Sequence, residues 1–195
     1  MKLFNKWPMD VKLEDPGLIR YVNLQPIIVP RTGGRNAKAQ FWKNKTPIVE
    51  RLINKIMVPG HKGKKHRLTS YKCTGKSMNA YSIVENAFTI VEKTTKKNPV
   101  EVFLKALENA APREEITTIE YGGARYPQAV ECSPQRRVDI ALRYMVQGSY
   151  QKAFRSKKAI EQCLADEIIL AYNVDNKSSA IAKKLELERQ ADASR

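Results

Sequence analysis

The sequence predicts a mainly α protein: a six-helix body, a projecting two-stranded β-hairpin arm and an extended basic N-terminal region. Three observations lead there. Beyond residue 46, apolar residues recur at three- and four-residue spacing in segments fenced by proline, glycine or capping residues. Residues 116–132 alone carry a strand-type alternation. Residues 1–45 show no sustained period and contain Pro8, Pro16, Pro26 and Pro30. The chain of 195 residues divides accordingly into an N-terminal arm, 1–45, and a helical domain, 46–195, with the hairpin at 114–132.

The arm is expected to be extended, with at most a short helix, and pinned by Trp7 and Trp42. The first helix is predicted to open at Thr46-Pro47, a capping residue followed by a proline suited to the first helical position. Ile48, Val49, Leu52, Ile53 and Ile56 form its apolar stripe, and it ends near Pro59-Gly60. The second spans about 77–97, with Tyr81, Val84, Phe88 and Val91 in one row and Ile83, Ala87 and Ile90 in another. So wide an apolar face belongs at the centre of a bundle. Asn98-Pro99-Val100-Glu101 reads as cap, first-turn proline and capping-box acid for the third. Pro112 stops it. Ser133-Pro134 starts a fourth, which the sequence predicts to end at Gly148. A fifth covers about 156–173. A weaker sixth begins near Ser178, with only Ile181, Leu185 and Leu187 for its apolar face.

In the hairpin, Ile116, Thr118 and Glu120 point to one face and Thr117, Ile119 and Tyr121 to the other. Gly122-Gly123 supplies two residues able to take positive φ, as a two-residue turn needs. Pro127 lacks an amide proton, so the return strand cannot be central in a sheet. With no third strand in the sequence, the ribbon reads as an arm projecting from the helical body, and something must hold its base or grip its tip. The alternative is a ribbon folded flat on the helices.

The net charge of +15 points to a polyanionic partner, nucleic acid before membrane. The charge is uneven: residues 1–76 hold 17 Lys/Arg against 4 Asp/Glu, a balance of +13, and the remaining residues are nearly neutral. Within residues 31–45, basic side chains interleave with Phe41 and Trp42, a mixture suited to phosphate contact and base stacking. Residues 60–76 carry six Lys/Arg and no acid. The candidate RNA-contacting cations are Arg31, Arg35, Lys38, Lys43, Lys45, Lys55, Lys62, Lys64, Lys65, Arg67, Lys72 and Lys76, with Arg113, Arg136 and Arg137 at the hairpin root. Arg136 and Arg137 occupy a helix's first turn, where the dipole disfavours cations. They either meet an external anion or pair with Glu131 or Asp139.

Catalytic readings find little support. Thr74-Gly75-Lys76-Ser77 resembles the end of a phosphate-binding loop, but Ser70 stands where that motif needs glycine. His61, His66 and Cys73 lack a fourth zinc ligand and regular spacing. No Ser/His/Asp or Cys/His set can be assembled after His66. Glu114-Glu115 read as surface ion-pairing acids. Three scattered cysteines suit free thiols in a reducing, cytoplasmic setting. No apolar run approaches the roughly 18 residues of a membrane span, and the opening lacks a signal peptide's apolar core. No enzyme activity, cofactor, metal or membrane partner is expected. The rivals are a helical nucleic-acid-binding regulator and an RNA-processing enzyme.

Five segments in order, KLFNKW, TPIVERLINKIM, NPVEVFLKALENAAPRE, YGGARYPQAVECSPQRR and EQCLADEIILAYN, resemble ribosomal protein seven of the small subunit, in its archaeal–eukaryotic and more closely its archaeal form. The resemblance covers nearly the whole chain. It implies a six-helix body with a projecting ribbon that binds the head (3′ major) domain of small-subunit rRNA and supports head assembly. It places the ribbon at the tRNA exit site near the mRNA, with neighbouring head and platform proteins as further partners. Tyr121, Gly122, Gly123, Arg125 and Tyr126 then form the ribbon tip, and Arg136 and Arg137 match the family's arginine pair at its base. The cations from Arg31 to Lys76 match its main rRNA-binding region as a region.

Overall fold

The computed structural model describes residues 1–34, 36, 38–60 and 73–195. Six α-helices are present among them: α1 Ile48–Ile56, α2 Ser77–Thr95, α3 Pro99–Ala110, α4 Pro134–Ala153, α5 Ile160–Tyr172 and α6 Ser179–Asp192. Helix α5 packs against α2, α3 and α4. The shared core is built on Phe88, Phe103, Leu104, Leu107, Leu142, Met145, Leu164 and Ile168, all within 2% of full burial. The wide apolar face of α2 lies inside this bundle, as its two rows require.

The N-terminal segment lies on the body. Strands β1 (Lys2–Leu3) and β2 (Trp7–Pro8) pair antiparallel around a turn in which Phe4 and Asn5 take positive φ. That turn drives the Phe4 ring inward, where it meets Trp7, Tyr81 and Phe88 edge to face. Leu3, Phe4, Trp7, Met9, Leu18 and Val22 are all buried. Polar straps run beside them: the amides of Glu14 and Asp15 donate to Glu108 Oε1 at 2.6 and 3.0 Å, and Asn98 Nδ2 donates to the Pro8 carbonyl at 2.9 Å. Trp7 therefore pins the segment, but Trp42 does not, being 45% exposed. An irregular segment buries scattered residues with no period, so its true anchors left no pattern to read.

Helix α5 starts at Ile160, about four residues later than expected, and two further helix boundaries also differ. Helix α1 opens one residue late, with Pro47 at the cap and Thr46 buried. The Ile48 amide donates to the Asn23 carbonyl at 3.2 Å, so the N-terminal segment performs the capping. Helix α4 runs through Gly148 to Ala153. A β-carbon at Gly148 would fall 2.5 Å from Ser179 Oγ, so the glycine admits the start of α6 rather than stopping α4. Asn98 caps α3 as predicted, accepting from the Val100 amide at 3.1 Å, with Pro99 in the first turn.

The ribbon consists of β3 (Glu114–Tyr121) and β4 (Ala124–Glu131), antiparallel, with Tyr121 opposite Ala124, Thr118 opposite Pro127 and Glu114 opposite Glu131. Gly122 and Gly123 have φ of 58° and 81°, the geometry of a type I′ turn. Every residue from 117 to 128 is exposed, so the outer ribbon stands free and is not laid flat on the helices. Its root packs on α6.

Candidate nucleic-acid interface

The residues just before α1 are locked to the first turns of α4, immediately beyond the ribbon. Asp139 accepts from Arg51 Nη2 at 2.9 Å and pairs with Lys43; Arg51 Nη1 also donates to the Tyr21 carbonyl at 2.9 Å. Gln135 Nε2 donates to the Gln40 carbonyl at 3.2 Å, and Asn23 Nδ2 donates to the Lys45 carbonyl. Burial alone would raise the Asp139 carboxyl, but hydrogen bonds and charge from Lys43 and Arg51 outweigh it and hold the group below the usual carboxylate range. Held this way, the segment turns Phe41 and Trp42 outward, 60% and 45% exposed, with Lys45 Nζ 5.8 Å from the Trp42 ring centre. Arg31, Thr32, Asn36, Trp42, Lys45 and Thr46 line a cleft of about 510 Å³ beside it.

Lys55 lies half-buried on the same side. Burial pushes its ammonium below its ordinary value, and repulsion from Arg143 and Lys43 acts in the same direction against the attraction of Asp139. Arg143 is exposed and forms no ion pair among the described residues. It was not among the cations singled out from the sequence. Its signal was there: Arg136, Asp139 and Arg143 follow helical spacing, which puts Arg143 on the same face of α4 as the Asp139 lock. An arriving phosphate would relieve the Lys55–Arg143 repulsion.

The remaining candidates scatter. Lys38 and Lys76 are exposed, and Arg31 is exposed with its Nη1 3.7 Å from Met78 Sδ. Arg35, Lys62, Lys64, Lys65, Arg67 and Lys72 lie outside the described residues, as do His61 and His66. Cys73 is a free thiol, and no group of three or more potential metal ligands occurs among the described residues. At the ribbon root, Arg113 is exposed and its amide donates to Glu188 Oε1 at 3.1 Å.

Arg136 and Arg137 pair with neither Glu131 nor Asp139. Arg136 Nε lies 2.5 Å from Glu115 Oε1 on β3, and Arg137 Nη2 lies 2.7 Å from Asp15 Oδ2 while its Nε donates to the Pro112 carbonyl at 3.1 Å. The Arg137 side chain is 11% exposed. These partners are 21 and 122 residues away in sequence, beyond the reach of local reasoning. The two arginines clasp the ribbon root and the N-terminal segment to α4, with Arg136 still half-open to solvent.

At the ribbon tip every residue from 121 to 126 is exposed. Tyr121 is 82% exposed and Tyr126 58%, and Ile119 lies directly opposite Tyr126. Arg125 Nε sits 3.5 Å from Glu120 Oε2, both open to solvent, a pair worth at most about 1 kcal/mol and readily exchanged for another anion. No helix among the described residues is long and apolar enough to cross a membrane.

The family model for ribosomal protein S7p/S5e matches residues 20–195. The small ribosomal subunit protein uS7 of Nanoarchaeum equitans is 57% identical over 196 residues, covering 100% of this chain and 99% of its own length. Those of Methanosphaera stadtmanae and Methanothermobacter thermautotrophicus are 51% and 50% identical, each covering 97% of this chain and 96% of their own. With the helical body, the free ribbon and these full-length archaeal relatives in agreement, the chain belongs to the archaeal branch of the ribosomal protein S7p/S5e family.

Proposed function

We propose that the protein is a structural, RNA-binding constituent of the small ribosomal subunit that anchors to the head (3′ major) domain of its rRNA and supports assembly of the head. It works on the ribosome, in the cytoplasm, and carries out no catalysis of its own. The observation that carries this reading is a cationic face with exposed aromatics alongside a free ribbon. Lys43, Lys45, Lys55, Arg143, Phe41 and Trp42 form the cationic face around the Asp139 lock, while the outer ribbon, residues 117–128, is exposed throughout and carries aromatics of its own. The face suits a folded polyanion through phosphate contact, with Phe41 and Trp42 available to stack. The basic residues from Arg31 to Lys76, together with Arg113 and Arg136, supply the anchor. Arg137, consumed by Asp15 and the Pro112 carbonyl, holds the root in place for it. The ribbon, with Tyr121, Gly122, Gly123, Arg125 and Tyr126 at its tip, lines the tRNA exit site near the mRNA, and other head and platform proteins pack around the body.

The test is the salt dependence of binding to a transcript of the 3′ major domain. If about six cations meet phosphates, log affinity falls by roughly 4–5 for each log unit of salt. Neutralising Lys43, Lys45, Lys55 and Arg143 together flattens that slope by about 3. An unchanged slope, or equal affinity for a transcript of another rRNA domain, overturns the assignment.

A further inference from the structure

A second, smaller cleft lies where residues 30–34 cross the seam between α1 and the start of α2. Its volume is about 280 Å³, and Arg31, Glu50, Ile53, Met57, Met78 and Tyr81 contribute to its walls. That is near the bottom of the size range for small-molecule sites and suits one planar group. Ile53 and Met57 are apolar side chains of the α1 wall. The half-buried Tyr81 ring is fixed edge to face against Phe4 at 4.8 Å. Met78, 61% exposed, forms the rim with its sulfur beside Arg31.

The acid in this cleft is out of keeping with its surroundings. Glu50 is 3% exposed, on the strongly basic side of the chain. One oxygen, Oε1, is fully used, accepting from the Thr32 amide at 2.9 Å and the Thr32 hydroxyl at 2.7 Å. The other, Oε2, is buried and has no hydrogen-bond partner among the described residues. An acceptor left idle in the interior is costly and marks a place where a donor belongs. A phosphate cannot supply one. In RNA the donors are the ribose 2′-hydroxyl, common to every nucleotide, and the N–H groups of the base edges, where guanine alone sets a ring N–H beside an amino group, matching the two lone pairs of one carboxylate oxygen.

We propose that this cleft receives the base of one unpaired nucleotide that bears an amino group, guanine best, with Glu50 Oε2 as its acceptor and Met57, Met78 and Tyr81 as its apolar walls. Arg31 at the mouth then meets the phosphate of the same nucleotide. Gly33 and Gly34, both at positive φ with open space around them, allow the covering strap to move aside for entry. The inference rests on the RNA-binding reading and adds a base-reading position to a surface that otherwise works through phosphate contact and stacking.

The experiment uses the full chain with methyl-labelled methionine and four 5′-phosphorylated trinucleotides, UUU, UCU, UAU and UGU. Binding is followed by the Met57 and Met78 methyl resonances and by anisotropy. UGU is expected to bind roughly tenfold tighter than UUU, as for one hydrogen bond to a charged group, and to shift both methyls. The Glu50→Gln variant keeps an oxygen for Thr32 but turns the free position into a donor, and it should bring UGU to the level of UUU. The Met78→Ala variant, altered only at an exposed rim, should weaken UGU with little effect on UUU. Equal binding of UUU and UGU by the unaltered protein, or an unchanged preference in Glu50→Gln, overturns the inference. If that happens while salt-dependent binding to the 3′ major domain persists, the base pocket alone is wrong; if both vanish, the RNA-binding reading falls with it.

Discussion

Replacing Asp139 by Asn tests whether one carboxylate holds the cationic segment in place. Asp139 neutralises Arg51, whose side chain is 6% exposed, and Lys43, which is 34% exposed. Removing one partner of a buried ion pair typically costs about 3–5 kcal/mol. Arg51 keeps its bond to the Tyr21 carbonyl and Asp139 is itself 29% exposed, so the low end applies, about 3 kcal/mol. The Lys43 half adds at most about 1 kcal/mol, being a near-surface pair. Urea unfolding of Asp139→Asn, Arg51→Met and the double variant separates these contributions. In the Arg51→Met background, Asp139→Asn should cost less than about 1 kcal/mol, because only the Lys43 pair is left to lose. The pH dependence has a definite sign. The folded carboxyl titrates below the unfolded value of about 3.9, so its contribution is fully present above that pH and is lost as pH falls through the lower, folded value. Asp139→Asn should therefore flatten the acid limb of the stability profile below about pH 4. A loss under about 1 kcal/mol in the single variant, or full additivity in the cycle, would refute the lock.

Gly148→Ala should destabilise by about 1–3 kcal/mol in denaturant, since its methyl would collide with Ser179 and force α6 off α4. Phe88→Ala, at the junction of Trp7, Phe4 and Phe103, should cost about 3–5 kcal/mol and release the N-terminal segment, seen as loss of Trp7 burial by fluorescence. Glu167→Ala strips the fully buried acid that accepts from Ser178 Oγ at 2.8 Å and pairs with Lys152 at 2.6 Å; a loss of about 2–4 kcal/mol, with faster amide exchange in α6, is expected.

The helical body was legible because its signals are local. Asn98-Pro99 names its own cap, and the rows on α2 name their own face. The hairpin was equally plain in Gly122-Gly123 and Pro127, but whether it stood free or lay flat on the helices was decided by the folded chain, where residues 117–128 are exposed. What escaped the sequence reading was whatever depends on distant partners. Gly148 carries the same letter whether it stops a helix or admits a neighbour, and Ser179, which decides the matter, is 31 residues further on. Arg136 and Arg137 met acids on β3 and in the N-terminal segment instead of those close by in sequence. Trp7 and Trp42 look alike as aromatic anchors, yet only the one on β2, just after the Phe4-Asn5 turn, reached the core. Of the candidate site, the cations could be found by composition, but the Asp139 lock and the place of Arg143 beside Lys55 required the folded chain.

The division of labour between the cationic face and the ribbon is the centre of this account. It is tested by replacing residues 121–126 with a short Gly-Ser turn. All six positions are exposed, so the melting temperature should stay within a few degrees of the unaltered protein. The decisive measurement pairs the stoichiometry of this variant in purified small subunits with the rate of tRNA dissociation from the exit site. A stacked aromatic is worth about 1–3 kcal/mol, little against a many-contact anchor but a large share of the hold on a transient ligand. Normal incorporation with tRNA released roughly tenfold faster or more is the predicted result. Full incorporation with unchanged tRNA release, or failure of the variant to enter the subunit, would contradict it.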